Sequence, residues 1–445
     1  MISTRFRHIC TEIPNERDKD IIETIALLES KQANKELPVV WDHADGFQIF
    51  DRWGNCWIDM TSSIFVTNTG HNSENNRKHV QSTLDKGLMH AYCYPTVERA
   101  EFLKKLLGMT PSYLEKASLA SAGTEASERA LKLARLYSAQ TTPEKNVIIG
   151  GSGNYHGKTM GALMSATTPE VRKWVGYQDP NMLQMPFPYP WIMECINLSG
   201  SQLFFNHIEE LEKDGLDLKK ICAFIIEPYQ GWGAVFYPED YIRSMFNWCR
   251  ENDVLFIADE IQSGFGRTGE LFAYQHYKVE PDLVVCGKGI SGGMPLSAVL
   301  GASNIIELDS SLTSTHGGHP IACAGALGNL IDYQRYNLTQ EANKKGTYLK
   351  KRLDALRSKF PKLISRIEGR GMVWGIYFTD GKGNLDVTFV DKMVDKLLQK
   401  GIFSIRTGRG VIKLGPPLIT PIDALNEAIT VHEEVIEELL YEGNI

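Results

Sequence analysis

Short apolar runs recur along residues 75–325, and helix-length stretches separate them. Val147–Ile149, Ala223–Ile226, Val254–Ala258 and Leu283–Val285 read as strands, with helices such as 123–139 and 239–252 in between. Alternation of this kind gives a mainly parallel sheet, which must be covered on both faces. The central part of the chain is thereby confined to an α/β layer architecture. The flanks read differently. Residues 18–32 carry Ile21, Ile25 and Leu28 at helical spacing, and Gln48–Phe50 and Cys56–Asp59 flank a turn as a hairpin. In the tail, two helix-rich blocks at 338–359 and 387–400 surround a short strand at Val373–Phe378, which together read as a smaller α+β unit. No internal repeat or low-complexity segment interrupts this order.

With 445 residues, 43% of them hydrophobic and 23% charged, the chain is long enough for two or three packed units. A net charge of -7, with no run of five basic residues, argues against nucleic acid or a membrane surface as partner. The eight cysteines, at 10, 56, 93, 195, 222, 249, 286 and 323, form no CxxC pair and read as reduced core residues of a cytosolic, cytoplasmic protein. No apolar stretch is long enough to span a bilayer, and Met1–His8 is basic but lacks the apolar core of a secretory signal.

The chemistry concentrates at two positions. Asp259 ends the run Leu255-Phe256-Ile257-Ala258, and Lys288 sits in the turn Cys286-Gly287-Lys288-Gly289. A buried acid can hold a heteroaromatic nitrogen protonated, and a lysine in a tight glycine-flanked turn can form a Schiff base with an aldehyde. The pair describes a site for pyridoxal 5′-phosphate (PLP), with Lys288 carrying the cofactor and Asp259 making its ring an electron sink. Ser121-Ala122-Gly123-Thr124 opens a helix, where a glycine and free N–H groups suit a phosphate and Thr124 adds a hydroxyl; an ordinary N-cap has the same look. Tyr155, in Asn154-Tyr155-His156-Gly157-Lys158, lies just past a strand, where ligands bind in open α/β sheets and an aromatic can stack on a planar group.

Three other motifs lead elsewhere and fail. Gly264-Phe265-Gly266-Arg267-Thr268-Gly269 fits GxGxxG, but its first glycine is four residues past Glu260, too far for the tight dinucleotide turn. Gly289-Ile290-Ser291-Gly292-Gly293 fits GxSxG, but Gly293-Met294-Pro295 opposes the helix that a nucleophile elbow needs. The eleven histidines show no HExxH spacing, so no metal is expected.

Taken in order, these segments resemble the class III (omega-type, subgroup II) aminotransferases over residues 35–435, in the manner of 4-aminobutyrate and ornithine aminotransferases. The resemblance implies PLP fold type I. A large PLP-binding domain over 71–330 would carry the mainly parallel sheet, and a smaller α+β domain would combine an N-terminal segment, 1–70, with a C-terminal one, 331–445. It implies that Gly123 and Thr124 bind the phosphate, Tyr155 stacks on the pyridine ring, and Asp259 pairs with the ring nitrogen. Gln262 would bond the ring hydroxyl, Lys288 would hold the cofactor, and Thr315 would reach the phosphate of a neighbouring subunit's cofactor in a homodimer. Ser63–His71 resembles the family's N-terminal substrate-pocket segment, including Ile64, with Phe65 where a small residue is common.

Departures from the family pattern concern the substrate. Lys413 stands before the Pro416-Pro417-Leu418 turn where many relatives have an arginine, Trp232 follows Gln230-Gly231 where a glutamate is frequent, and Lys158 replaces an arginine. Lysine lacks the planar fork that grips a carboxylate at two points, and tryptophan offers an apolar or sugar-stacking wall. The expected activity is ping-pong transfer of an amino group from a primary amine, amino acid or amino sugar to a keto acid or other carbonyl. A PLP-dependent racemase or epimerase on the same scaffold, and a non-catalytic partner protein, stand as alternatives.

Overall fold

In a computed structural model, residues 1–30 and 37–443 are described. The chain divides into two units, Met1–Ser73 with Gln340–Ile445, and Glu74–Thr339.

The larger unit is built on seven strands: β1 (Lys116–Ala120), β2 (Val147–Gly151), β3 (Met182–Met185), β4 (Ile221–Ile226), β5 (Leu255–Asp259), β6 (Leu283–Cys286) and β7 (Ser297–Gly301). They lie side by side in the order β1-β7-β6-β5-β4-β2-β3. All four apolar runs read as strands belong to this sheet. Neighbours from β6 to β3 are parallel, while β7 runs antiparallel to both β6 and β1. Every residue of β2, β4, β5, β6 and β7 is buried, as befits strands covered on both faces. Ile148, Ile225, Ile257 and Val285 share one core with Ala126, Ala130, Leu133 and Ala134 of the helix Gly123–Ala139. Each large apolar side chain withdrawn from water in this layer contributes about 1.5–3 kcal/mol. A charge at Ile225 would break it.

Among the described residues, the smaller unit holds two sheets. Cys56–Asp59 pairs with Gln48–Phe50 in the expected hairpin and, on its other side, with Ile402–Phe403 from the far end of the chain. A four-stranded antiparallel sheet comprises Ile364–Arg370, Val373–Phe378, Val411–Leu414 and Ile405–Arg406. The segment Ser62–Phe65 forms one left-handed turn, with φ of 50, 49, 62 and 69° at four successive residues, none of them glycine. Asp59 imposes it: its carboxylate accepts the N–H groups of Thr61 at 2.7 Å and Ser62 at 3.1 Å, and Ser62 Oγ donates to Gly415 O at 2.6 Å.

Two sequence expectations need correction. The first helix spans Lys19–Leu28 and stops short of the expected end at 32; it buries none of its residues, and residues 31 and 32 lie outside the described part. The cysteines are all free, yet Cys93 and Cys195 are exposed and Cys10 is partly exposed, so only five are core residues. Among the described residues, no helix is long and apolar enough to cross a membrane.

Candidate active site

In the larger unit, the side chains singled out from sequence gather at the carboxyl ends of the sheet strands. Asp259 is the last residue of β5, and Lys288 follows β6 by two residues. Gly123 and Tyr155 come shortly after β1 and β2. Ligands meet open α/β sheets at this edge because the chain there turns from strand to helix and exposes backbone donors.

Asp259 is 3% exposed. Its Oδ1 accepts the Ile261 N–H at 3.0 Å, and its Oδ2 faces His156 Nδ1 at 2.7 Å. The carboxyl is thus fixed from two sides. His156 lies within the Tyr155–Lys158 motif, but its part was not read from sequence. A buried histidine has many ordinary uses, and only the fold shows that this one meets Asp259.

Lys288 opens a short 3₁₀ turn, Lys288–Ile290, at φ 43°. A non-glycine residue in this left-handed region carries strain of the order of 1–3 kcal/mol, which surrounding structure must hold. The Ile290 N–H to Gly287 O bond at 3.0 Å is part of that hold. Burial pulls the Lys288 amine below the ordinary lysine range, and the opposing pull of Asp259 and Glu227 is smaller.

Gln262 is oriented by Tyr229, whose hydroxyl donates to Gln262 Oε1 at 3.1 Å. Neither Tyr229 nor Glu227 was picked out from sequence. Glu227 had the same signal as Asp259, an acid closing an apolar run.

At the start of helix Gly123–Ala139, the first N–H groups have no partner within the helix itself. A side chain at Gly123 would press on Ile261 Cδ1 at 3.0 Å, so only glycine fits this close packing. Thr124 Oγ1 lies 2.7 Å from Thr159 Oγ1. Gly157, at φ 139°, passes so close that a Cβ there would stand 2.1 Å from Thr124 Oγ1. The Tyr155–Lys158 loop is therefore locked against the helix start.

Other candidates sit differently. Tyr155 is 54% exposed and Lys158 is exposed on the same loop. Trp232 occupies the tip between the paired strands Tyr229–Gln230 and Val235–Phe236, and is partly buried. Thr315 stands exposed on a loop where its carbonyl accepts from His90 Nε2 at 2.9 Å. No hydrogen bond or ion pair joins it to Lys288 or Asp259 among the described residues. Ile64, Phe65 and Lys413 belong to the smaller unit. There Ile64 is 43% exposed, Phe65 is fully buried, and the buried Lys413 places Nζ 4.6 Å from the Phe65 ring centroid. Among the described residues no group of three or more His, Cys, Asp or Glu is placed to hold a metal ion.

An acid at a strand end, a desolvated lysine beside it and a bare helix start make up this edge of the sheet. Residues 30–436 match the family model described as aminotransferase class-III. The chain belongs to the class-III aminotransferases. It is 30% identical to a 4-aminobutyrate aminotransferase of Mycobacterium leprae over 97% of this chain and 98% of that one. It is 29% identical to an isoleucine 2-epimerase of Lentilactobacillus buchneri over 89% of each. An ornithine aminotransferase structure from Toxoplasma gondii superposes with a TM-score of 0.83 at 26% identity, covering 96% of both chains. This class-III aminotransferase thus has the PLP fold-type-I architecture, is an enzyme of amino-group transfer, and uses PLP with an amine and a keto acid as substrates.

The residues fit that cofactor. Asp259 would offer a fixed carboxyl to the ring nitrogen, Gln262 its amide to the ring hydroxyl, and the helix start its N–H donors to the phosphate. The lowered amine of Lys288 suits covalent attachment, which needs a neutral nitrogen.

Proposed function

We propose that Lys288 holds PLP covalently and shuttles the substrate proton, with Asp259 as partner of the ring nitrogen. The observation that carries this reading is the buried Asp259–His156 pair with the desolvated Lys288 in its electrostatic reach. Bound PLP supplies an electron sink for the bond that loses its proton. The protein does the rest. Asp259 keeps a proton on the ring nitrogen, and His156 Nδ1 steadies Asp259. Tyr229 sets Gln262 for the ring hydroxyl, and the N–H groups at Gly123 and Thr124, with the Thr124 hydroxyl, anchor the phosphate. Tyr155 presents its exposed ring to a planar face. When not bound to the cofactor, Lys288 Nζ would be free to take the proton from the substrate carbon bearing nitrogen and to hold it for return, as ping-pong transfer requires.

Borohydride reduction of the loaded enzyme followed by peptide mass mapping tests the attachment. Label at Lys288 and loss of turnover in Lys288→Ala are expected; label at another lysine refutes the assignment. Likeness to an isoleucine 2-epimerase keeps one other outcome measurable. A single half-reaction with amine alone should leave the cofactor aminated, whereas loss of optical rotation without amination belongs to an epimerase.

The donor we assign is bulkier or less carboxylate-dependent than 4-aminobutyrate or ornithine. Trp232, Lys413 and Lys158 each replace a side chain common among relatives with those substrates, and Phe65 fills a position where a small residue is common. Lys413 keeps a charge but not the fork, and stacks on Phe65. A kinetic panel checks this: high efficiency with 4-aminobutyrate and none with bulky amines would sink it. We further assign a homodimer in which Thr315 reaches the partner's cofactor, consistent with its exposure, and a cytoplasmic location, consistent with eight free cysteines.

A further inference from the structure

We propose that Glu227 is the positioning residue of this site, tying the Tyr155 loop to the Gly231–Trp232 tip through one carboxyl oxygen. This rests on the roles given above to Tyr155 and Trp232. Glu227 follows the last residue of β4 and is 6% exposed. Its Oε2 accepts the Tyr155 N–H at 3.0 Å and the Gly231 N–H at 3.3 Å. Both donors are backbone groups, so the link fixes where each loop runs, whatever its side chains do. One loop carries the aromatic face and the other the apolar wall.

The second oxygen lies against the same tip. A Cβ on Gly231 would stand 2.6 Å from Glu227 Oε1 and 3.2 Å from Gln262 Nε2. Gly231 therefore leaves the space in which the Glu227 carboxyl and the Gln262 amide meet the tip together. A second strut supports the same pair of loops, since Gln230 Nε2 donates to Ser152 O at 3.1 Å. The carboxyl lies within electrostatic reach of His156, Asp259 and Lys288. Burial pushes it up to about 7, against the pull of His156 and of its two N–H donors. The transfer chemistry does not use this acid, yet it holds the Tyr155 backbone and acts electrostatically on Asp259, His156 and Lys288.

Three variants of the PLP-loaded enzyme decide the matter, read by PLP affinity from absorbance titration and by KM and kcat for the amine. Glu227→Ala should weaken PLP binding and raise KM by about tenfold each, with kcat within about threefold. Glu227→Gln, whose amide oxygen can accept both N–H groups, should restore both constants to near the parent. If Glu227→Gln fails as badly as Glu227→Ala, or if kcat alone falls, the carboxyl acts through charge and the positioning role is overturned. Should Glu227→Ala not fold, Gly231→Ala reads the same link. Its methyl displaces Oε1 and should raise both constants, and parental values overturn the proposal. Borohydride labelling of the parent separates the two readings. No label at Lys288 defeats the cofactor assignment, whereas label at Lys288 with parental constants in all variants defeats only the role of Glu227.

Discussion

His156 Nδ1 and Asp259 Oδ2 lie 2.7 Å apart, and neither side chain reaches solvent appreciably. The contact joins the loop after β2 to the end of β5, and it fixes one oxygen of the acid on which the ring nitrogen would rest. Removing the imidazole leaves a buried carboxyl oxygen without its donor, and hydrogen bonds to such groups are worth about 1.5–3 kcal/mol. His156→Ala is expected to slow the first half-reaction by about 10–100-fold. His156→Asn, whose amide can donate from a similar position, should recover part of the loss. Stopped-flow absorbance of the cofactor measures both, and equal rates in parent and His156→Ala would remove the pair from the mechanism.

How much of this was legible in sequence depends on what kind of cause acts. The runs that became β4, β5 and β6 could be read because strands buried on both faces must be apolar throughout. β1, β3 and β7 carry weaker signals: Lys116-Ala117-Ser118-Leu119-Ala120, Met182-Leu183-Gln184-Met185 and Ser297-Ala298-Val299-Leu300-Gly301 are short or mixed, and pairing with neighbours makes them strands. Asp259 and Lys288 were legible because each carries its own local signal. His156 and Tyr229 act through partners 103 and 33 residues away, and no local pattern announces such contacts. The left-handed turn at Ser62–Phe65 contains no glycine to betray it, since Asp59 and Gly415 impose it from outside.

Lys288 has its amine lowered by burial, so the neutral form is reached at a lower pH than for a free lysine. The sign follows from proton counting. In the cofactor-free protein the unfolded chain binds more protons at this position, so stability rises as pH climbs from the lowered folded value to 10.5, the ordinary lysine value. Below that window the fold carries a poorly solvated ammonium. Lys288→Met should therefore raise the melting temperature of the cofactor-free protein at neutral pH while abolishing turnover. A lower melting temperature would show that Lys288 supports the fold.

Ser63 sits at φ 49° and ψ 51° in the middle of the left-handed turn. An L-residue there is disfavoured by roughly 1–2 kcal/mol, and glycine is not, although glycine also gains freedom in the unfolded chain. Ser63→Gly is expected to stabilise the protein by about 0.5–1 kcal/mol, the difference between these effects. Urea unfolding with an unchanged slope checks it, and a loss of stability would mean that the Ser63 side chain supports the turn.

His432 is an acid-sensitive point of the smaller unit. It is fully buried, its Nδ1 donates to Ala428 O at 2.7 Å, and its Nε2 lies 3.3 Å from Ser404 Oγ, an arrangement that suits the neutral ring. Burial lowers its pKa from 6.5 to about 4. Because the unfolded chain takes up the proton first, the stabilisation is fully present above pH 6.5 and is lost as pH falls toward 4. At 1.36 kcal/mol per unit the full span is worth about 3 kcal/mol. His432→Leu removes the titrating group and keeps an apolar side chain of similar bulk, at the cost of two hydrogen bonds. The variant should be less stable than the parent at pH 7 but should lose less stability between pH 6.5 and pH 4. Denaturant midpoints measured across that range decide: parallel curves for parent and variant would show that some other group titrates.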